Sequence, residues 1–312
     1  MDRVLRREGE KKEPMKAGVT IVISYQKGTG DILATCLASL ARHTKDVSHK
    51  VAVLIRGSEP DADLEQLRVA YANVSAISLP DIDDKVSSRV HGAMLDVVVP
   101  SRIDTEYVLT LDSDCFPVAD GWLSDLLKML KDGARISGIL HPWAPPPSSM
   151  SQKKLEWRVR SQHCWETTHV ACQMLRTDDV NLLNQKYNTG DDTGLALTKK
   201  AKSLGWKTDG FKVTRCPKPE TGKIDPEFNR YVALVYGDKV YHHGGYTRTA
   251  ILGNEPVFQK EFGWVMNRII TERGAEFLLD DGLSCRFKFD KEEEVAKEKM
   301  QRLFGLKSQR MS

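Results

Sequence analysis

The chain has 312 residues, of which 40% are hydrophobic and 29% charged, and its formal net charge is +3. This composition is typical of a soluble globular protein, and the weak charge permits an anionic ligand without requiring nucleic acid. The apolar runs are no longer than a strand and the first 16 residues lack an apolar leader, so we expect no stable membrane insertion. The six cysteines show neither CxxC pairs nor the spacing of a disulfide framework, which favours a reduced, cytoplasmic protein.

The first 135 residues alternate between predicted strands and predicted helices. Strands are predicted at 19–23, 51–55, 74–79 and 107–111, because these runs are short and rich in apolar and β-branched residues. A helix with one apolar face is predicted after each of them. This order predicts an α/β fold with a mostly parallel central sheet and helices on both faces.

Several residues mark the predicted helix ends. Asp31 and Asp120 are predicted to cap the first and fourth helices, and Pro100 is predicted to end the third.

The glycine turn at 28–30 lacks the third glycine of a dinucleotide fingerprint, and no G-K-[ST] element follows a glycine loop. The chain therefore contains neither a dinucleotide fingerprint nor a P-loop.

The second half of the chain is less regular. A strand is predicted at 136–140, followed by a proline-rich loop that cannot be helical. A helix is predicted to begin at Asp192 or Thr193, and short strands are predicted on both sides of a turn at 237–238. We divide the chain into an arm at 1–16, a first half at 17–135, a second half at 136–285 and a C-terminal helix at 286–312.

Two aspartates one residue apart end the fourth predicted strand. Successive side chains of a strand alternate between its faces, so Asp112 and Asp114 share a face if the chain is still extended there. Two carboxylates suit a hard divalent cation such as Mn²⁺ or Mg²⁺. Solvated surface aspartates are the alternative. An apolar strand that ends in acids is nevertheless typical of a buried parallel strand that opens into a site.

These segments together resemble the family-2-like glycosyltransferases of the GT-A fold, which is Rossmann-like. The matching segments, in chain order, are 19–25, 36–40, 106–114, 190–192 and 242–248. The resemblance implies transfer of a sugar from a nucleotide-sugar donor to an acceptor hydroxyl with the help of a divalent metal. It also implies that the first half binds the donor, whereas the second half holds the catalytic residues and an irregular acceptor region.

The resemblance assigns metal ligands. Asp112 and Asp114 fall on the metal-binding triplet, and Asp114 is expected to bind the metal directly. His242 lies where such enzymes often place a third ligand, and His243 is the alternative. A histidine packed under a loop beside a solvated one would explain the same pair without any metal.

The resemblance also assigns a catalytic base. Asp192, with Asp191 as second choice, matches the element whose last aspartate removes the acceptor proton in inverting members. Asp192 would make an equally good helix cap, and the two roles compete unless Thr193 caps the helix instead.

Donor contacts are expected at the ends of the first strands and beside the metal. Tyr25 is expected to stack on the nucleobase. Arg56 stands where the family usually places an acid, so the expected preference for a UDP-sugar stays open. The full predicted donor set is Ser24, Tyr25, Arg56, Asp84, Arg89, His91, Ser113 and Arg248.

The acceptor is expected to contact Trp143, Trp165 and His169, because aromatic faces suit sugar rings and also stacked bases. A glycan, a small molecule and DNA all remain open as acceptors, and transfer to DNA would use a hydroxymethylated base. The residues also leave open a nucleotidyltransferase and a sugar-binding module without catalysis.

Overall fold

The computed structural model of the protein describes residues 16–57, 61–80, 87–140, 168–187, 193–218, 233–244 and 257–286. Only Lys16 of the predicted arm and Arg286 of the predicted C-terminal helix fall in these ranges, and both residues belong to strands. Within the same ranges, every helix is too short or too polar to span a bilayer.

The first half has the predicted alternation of strands and helices. Its elements are β1 (Lys16–Tyr25), α1 (Gly30–His43), β2 (His49–Arg56), α2 (Ala62–Ala70), β3 (Val74–Leu79), α3 (Ser87–Arg102), β4 (Thr105–Asp112), β5 (Cys115–Pro117) and α4 (Trp122–Lys131). The predicted order is thereby confirmed, and the short strand β5 is an addition that its three residues were too few to predict.

The second half is made of shorter elements. They are β6 (Ile136–Leu140), β7 (Thr168–Arg176), α5 (Thr177–Leu183), α6 (Leu195–Ser203), β8 (Thr208–Phe211), β9 (Val213–Pro217), β10 (Ala233–Tyr236), β11 (Val240–His243), α7 (Val257–Glu272), a 3₁₀ helix (Glu276–Leu279) and β12 (Ser284–Arg286). The strand predicted at 136–140 and the predicted hairpin at 237–238 are both present.

The strands form two sheets. The first has seven strands in the order β3-β2-β1-β4-β7-β6-β8. Its pairings are parallel except for those of β7 with β4 and with β6, so the predicted α/β fold with a mostly parallel sheet is confirmed. The second sheet has five strands in the order β12-β9-β10-β11-β5 and is antiparallel. Its strands β9, β10, β11 and β12 come from the less regular second half, and β5 comes from the first half.

The central sheet is buried on both faces. In β1, Ile21 and Ile23 point to one cluster of buried side chains, which α1, α2, α4 and α7 cover. Val22 points to the opposite cluster, which α3, α5 and α6 cover. Because side chains alternate along a strand, the even-numbered residues of β1, β2 and β4 face α3. This assignment decides which strand-end residues reach the same side of the sheet.

Two predicted caps are wrong. The helix α1 begins at Gly30, so Asp31 lies in its first turn, where a carboxylate complements the helix dipole instead of capping it. The N-cap of α4 is Gly121, in the left-handed region at φ 77°. Asp120 instead places Oδ1 2.7 Å from His43 Nδ1.

The predicted start of α6 is also wrong by one or two residues. Gly194 occupies its N-cap at φ 76°, a conformation that a glycine adopts without strain. Neither Asp192 nor Thr193 is therefore the N-cap. Gly205 follows the end of the helix with φ 71°, as its sequence position predicted.

The predicted C-terminal end of the third helix is wrong as well, because α3 continues through Pro100 to Arg102. Proline removes a backbone donor and clashes with the preceding turn, so it usually ends a helix. Here Val98 and Val99 are fully buried against the sheet. Their burial holds the last turn in place, and the helix ends only two residues after the proline.

Candidate metal and donor site

The Asp112-Ser113-Asp114 segment lies where the chain leaves the central sheet. Asp112 is the last residue of β4, which is flanked by β1 and β7, and its register partner on β1 is Ser24. Ser113 and Asp114 form the turn into β5 and are both almost fully buried. The acids therefore lie at the carboxyl edge of the sheet, where open α/β sheets place their ligands.

The second sheet brings His242 to these acids. β11 pairs with β5 so that His242 lies opposite Cys115, and the backbone N–H of His243 donates to the carbonyl of Asp114 at 3.0 Å. His242 Nε2 then lies 3.8 Å from Asp114 Oδ1 and 3.9 Å from Asp112 Oδ2. One ligand atom from each of the three residues lies within 4.8 Å of the others.

These three groups fit a divalent cation. Ligand atoms about 2.1 Å from one ion lie about 3 to 4 Å apart, so only a small closure would bring all three into contact with it. Asp114 and His242 are 4% and 5% exposed, respectively. A cation would relieve the repulsion between the two neighbouring carboxylates, of which that of Asp114 has little access to water.

His243 points away from this site. Side chains alternate along β11, so His243 shares a face with Tyr241, whose hydroxyl lies 2.6 Å from His243 Nδ1. The imidazole is fully buried, and this burial lowers the pKa of His243 to about 3. Of the two candidate ligands, only His242 lies with the aspartates.

Two more histidines flank the cluster. His91, in the second turn of α3, places Nδ1 3.6 Å from Asp112 Oδ1. His169, on β7, places its ring centroid 5.4 Å from that of His242. Both were predicted site residues, but their proximity to Asp112 and His242 was not predicted. Only the packing of α3 and β7 beside β4 and β11 brings them together, so no local signal could have shown it.

The strand-end residues predicted to bind the donor divide between the two faces. Ser24 is in register with Asp112 and with Leu54, and Arg56 follows Leu54 on the same face of β2. Ser24, Arg56 and Asp112 therefore all lie on the side that α3 covers.

Tyr25 faces the opposite side, and the prediction that it stacks on a nucleobase is not supported. Its side chain is 3% exposed within the core, so it has no open face in this structure. Its hydroxyl reaches Asp61 at 3.3–3.4 Å, and burial together with this carboxylate raises the pKa of Tyr25. Asp61 also caps α2 by accepting from the Leu64 N–H. The tyrosine therefore ties β1 to α2.

The buried thiols near the site are not candidate nucleophiles. Cys36 Sγ lies 3.5 Å from the carbonyl of Cys115, and both side chains are fully buried. Burial raises the pKa of each thiol, which keeps both protonated. Because the thiolate is the reactive form, we assign these cysteines to packing.

Several predicted residues do not enter this geometry. Arg89 contributes its backbone to the first turn of α3. Six predicted residues lie outside the described ranges: Asp84, Trp143, Trp165, Asp191, Asp192 and Arg248.

Comparison with known proteins gives matches at the level of solved structures. No protein-family model and no curated protein matches the chain. S. aureus TarS (1–349) matches with 15% identity and a TM-score of 0.40, over 59% of this chain and 55% of that one. The glycosyltransferase GlyE of Streptococcus pneumoniae TIGR4 matches with 13% identity and a TM-score of 0.37, over 62% and 45%.

A third match is the mannosyltransferase PcManGT from Pyrobaculum calidifontis in complex with GDP-Man and Mn²⁺. Its identity is 13% and its TM-score 0.43, over 64% of this chain and 58% of that one. The chain thus spans about half the length of each of these three structures.

Proposed function

We propose that this protein is a metal-dependent glycosyltransferase that moves a sugar from a nucleotide-sugar donor to an acceptor hydroxyl. The observation that carries this proposal is the cluster of Asp112, Asp114 and His242 at the carboxyl edge of a mostly parallel sheet. Two oxygen ligands and one nitrogen ligand in a largely buried recess suit the cation that binds a nucleoside diphosphate.

Of the two predicted cations, Mn²⁺ fits this ligand set better than Mg²⁺. Mg²⁺ prefers oxygen ligands, whereas an imidazole beside two carboxylates favours a transition ion such as Mn²⁺. Bound there, the ion would act as a Lewis acid and would stabilise the charge that develops on the leaving diphosphate. In this proposal Asp114 and His242 would hold the ion directly, and Asp112 would contact both the ion and the donor ribose.

The donor lies, in this proposal, along the α3 side of the sheet edge. Ser24 lies next to Asp112 on that face, Arg56 lies one strand further along the edge on β2, and His91 projects from α3 beside Asp112. Arg56 can donate hydrogen bonds to a base or a phosphate. Ser113, Arg89, Asp84 and Arg248 complete the proposed donor set, and a UDP-sugar is the favoured donor. We leave Tyr25 out of this set, because its side chain is buried in the core.

An inverting reaction requires a carboxylate on the acceptor side. We assign this role to Asp192, with Asp191 as second choice. The position of Gly194 supports the assignment, because the N-cap of α6 is occupied and Asp192 does not have to serve as the cap. His169, beside His242, is proposed to contact the acceptor together with Trp143 and Trp165. The acceptor is a glycan, a small molecule or DNA. The cysteines lack the spacing of a disulfide framework, which suits a cytoplasmic location.

The test is incubation of the purified chain with a panel of nucleotide sugars and Mn²⁺, with release of nucleoside diphosphate as the measured product. We expect turnover of at least one donor, and a loss of about 100-fold or more in Asp114→Ala. The matched control is Asp132→Ala, an exposed aspartate after α4. Absence of donor turnover and donor binding, with no effect of Asp114→Ala, would refute the proposal. Pyrophosphate release from a nucleoside triphosphate would indicate a nucleotidyltransferase instead.

A further inference from the structure

The two carboxylate oxygens of Asp112 face two different histidines. Oδ2 lies 3.9 Å from His242 Nε2, on the side where Asp114 also lies. Oδ1 lies 3.6 Å from His91 Nδ1. Oδ1 is buried and accepts no hydrogen bond from the part of the chain that the structure describes. A buried carboxylate oxygen in this state is costly unless a donor reaches it.

His91 is held firmly enough to supply that donor. It lies on α3, whose Val90, Met94 and Val98 are buried against the α3 side of the central sheet. The neighbouring apolar residues therefore anchor the helix turn that carries the imidazole. The His91 side chain is 17% exposed, so it lies at the rim of the site. A rigid helix fixes a side chain more precisely than a loop would.

The geometry distinguishes this histidine from a metal ligand. The three clustered ligand atoms belong to Asp112, Asp114 and His242, and His91 is not part of that cluster among the described residues. Its Nδ1 faces Oδ1, whereas Oδ2 is the oxygen that faces His242. A separation of 3.6 Å is longer than a hydrogen bond, and a closure of roughly 0.6 Å would form one.

We propose that His91 is a positioning residue for Asp112: its Nδ1–H holds Oδ1 and thereby keeps Oδ2 directed at the cation. This inference rests on the proposed metal-dependent function. Outer hydrogen bonds to a ligating carboxylate fix its orientation, and their loss typically weakens metal binding about 10- to 100-fold. His91 thus acts on the metal through Asp112, in addition to any contact with the donor.

The test measures Mn²⁺ binding to the full chain without nucleotide sugar, from the electron paramagnetic resonance signal of free Mn²⁺. We expect His91→Ala to raise the dissociation constant about 10- to 100-fold. His91→Asn should bind nearly as tightly as the wild type, because its amide can donate from about the position of Nδ1. The matched control is His49→Ala, at the opposite end of the sheet, where His49 contacts Val47 and Asn73.

Asp112→Asn separates failure of this inference from failure of the proposed function. If His91→Ala binds Mn²⁺ like the wild type while Asp112→Asn does not, the positioning role is wrong and the metal site stands. An equal loss in His91→Ala and His91→Asn, with unchanged circular dichroism, would also overturn the role of the donated hydrogen bond. If Asp112→Asn and Asp114→Asn both bind Mn²⁺ normally, the metal site itself is wrong.

Discussion

The two sheets of this protein are stabilised in different ways. The central sheet has long strands such as β1 and β4, whose side chains are nearly all buried between two layers of helices. The second sheet has strands of three to five residues. One of its strands, β9, carries the nearly buried Arg215, which donates hydrogen bonds to Asp238, Asp281 and Ser284. Apolar burial dominates the first sheet, whereas the second also depends on a charged network.

The candidate metal site joins these two regions. Asp112 ends a strand of the central sheet, His242 belongs to the second sheet, and Asp114 lies in the turn through which the chain passes between them. The long sheet thus provides a fixed edge, and the short sheet adds the ligand that completes the cluster. The site therefore requires both sheets to be correctly placed, and variants in either sheet can test that dependence.

The largest effect is expected from removing one ligand from each sheet. Asp112→Ala and His242→Ala should each weaken Mn²⁺ binding about 100-fold, because each removes one of the three ligands that cluster in the described part of the chain. Titration calorimetry with Mn²⁺ would measure both. His243→Gln is the matched control, since His243 points to the other face of β11, provided that the variant keeps its circular dichroism. Equal binding by wild type and His242→Ala would mean that the central sheet alone holds the metal.

A core substitution in the central sheet should strongly reduce stability. Leu109 is fully buried in β4, so Leu109→Ala should lower the free energy of unfolding by about 2 to 5 kcal/mol. Urea denaturation at neutral pH measures this change. Val69→Ala is the control, because Val69 is 88% exposed and its truncation should change stability by less than about 0.5 kcal/mol. A loss below about 1 kcal/mol for Leu109→Ala would contradict the buried position of β4.

A smaller effect is expected from the charged network of the second sheet. Arg215→Met removes these hydrogen bonds and should cost about 1 to 2 kcal/mol of unfolding free energy. The loss stays this small because the partners, Asp238 and Asp281, remain accessible to water once the guanidinium is gone. Arg68→Met, which removes an exposed ion pair with Glu65, should cost less than about 0.5 kcal/mol by the same urea denaturation. Equal effects of the two variants would show that the network adds nothing beyond a surface pair.

Acid should reduce the difference between wild type and Arg215→Met. The hydrogen bond from Arg215 lowers the pKa of Asp281. Partial burial would raise the pKa of Asp238, but hydrogen bonds from Thr214 and Arg215 outweigh it and leave that pKa lowered too. Both carboxylates therefore stabilise the fold above their unfolded pKa of about 3.9 and lose this contribution as the pH falls through the lower folded values. Urea denaturation at pH 7 and pH 3 measures the change, and a constant difference would contradict it.

Much of the first half could be predicted from local patterns. The strand ending in Asp112 and the alternation of strands and helices follow from runs of apolar residues that are long enough to show a period. The helix ends were predicted less well, because Asp120 bonds to His43 from another element instead of capping α4. Of the second sheet only the hairpin of β10 and β11 was predicted, from its turn at 237–238, since strands of three to five residues are too short to reveal a period.

The candidate site was predicted in part. The alternation of side chains implies that Ser24 and Tyr25 face opposite sides of β1, and the same holds for His242 and His243 on β11. It does not say which side is the site. That choice depends on which elements pack on each face, here α3 beside Asp112 and the core around Tyr25.

The sequence alone determined the α/β order of the chain and the position of Asp112 and Asp114 at a strand end, because both depend on contacts within a few residues. Only the tertiary structure decided that His242 joins these acids, that His91 faces the other oxygen of Asp112, and that Tyr25 is buried. The reason is physical: these contacts join segments far apart in the chain, and burial and strand register bring them together.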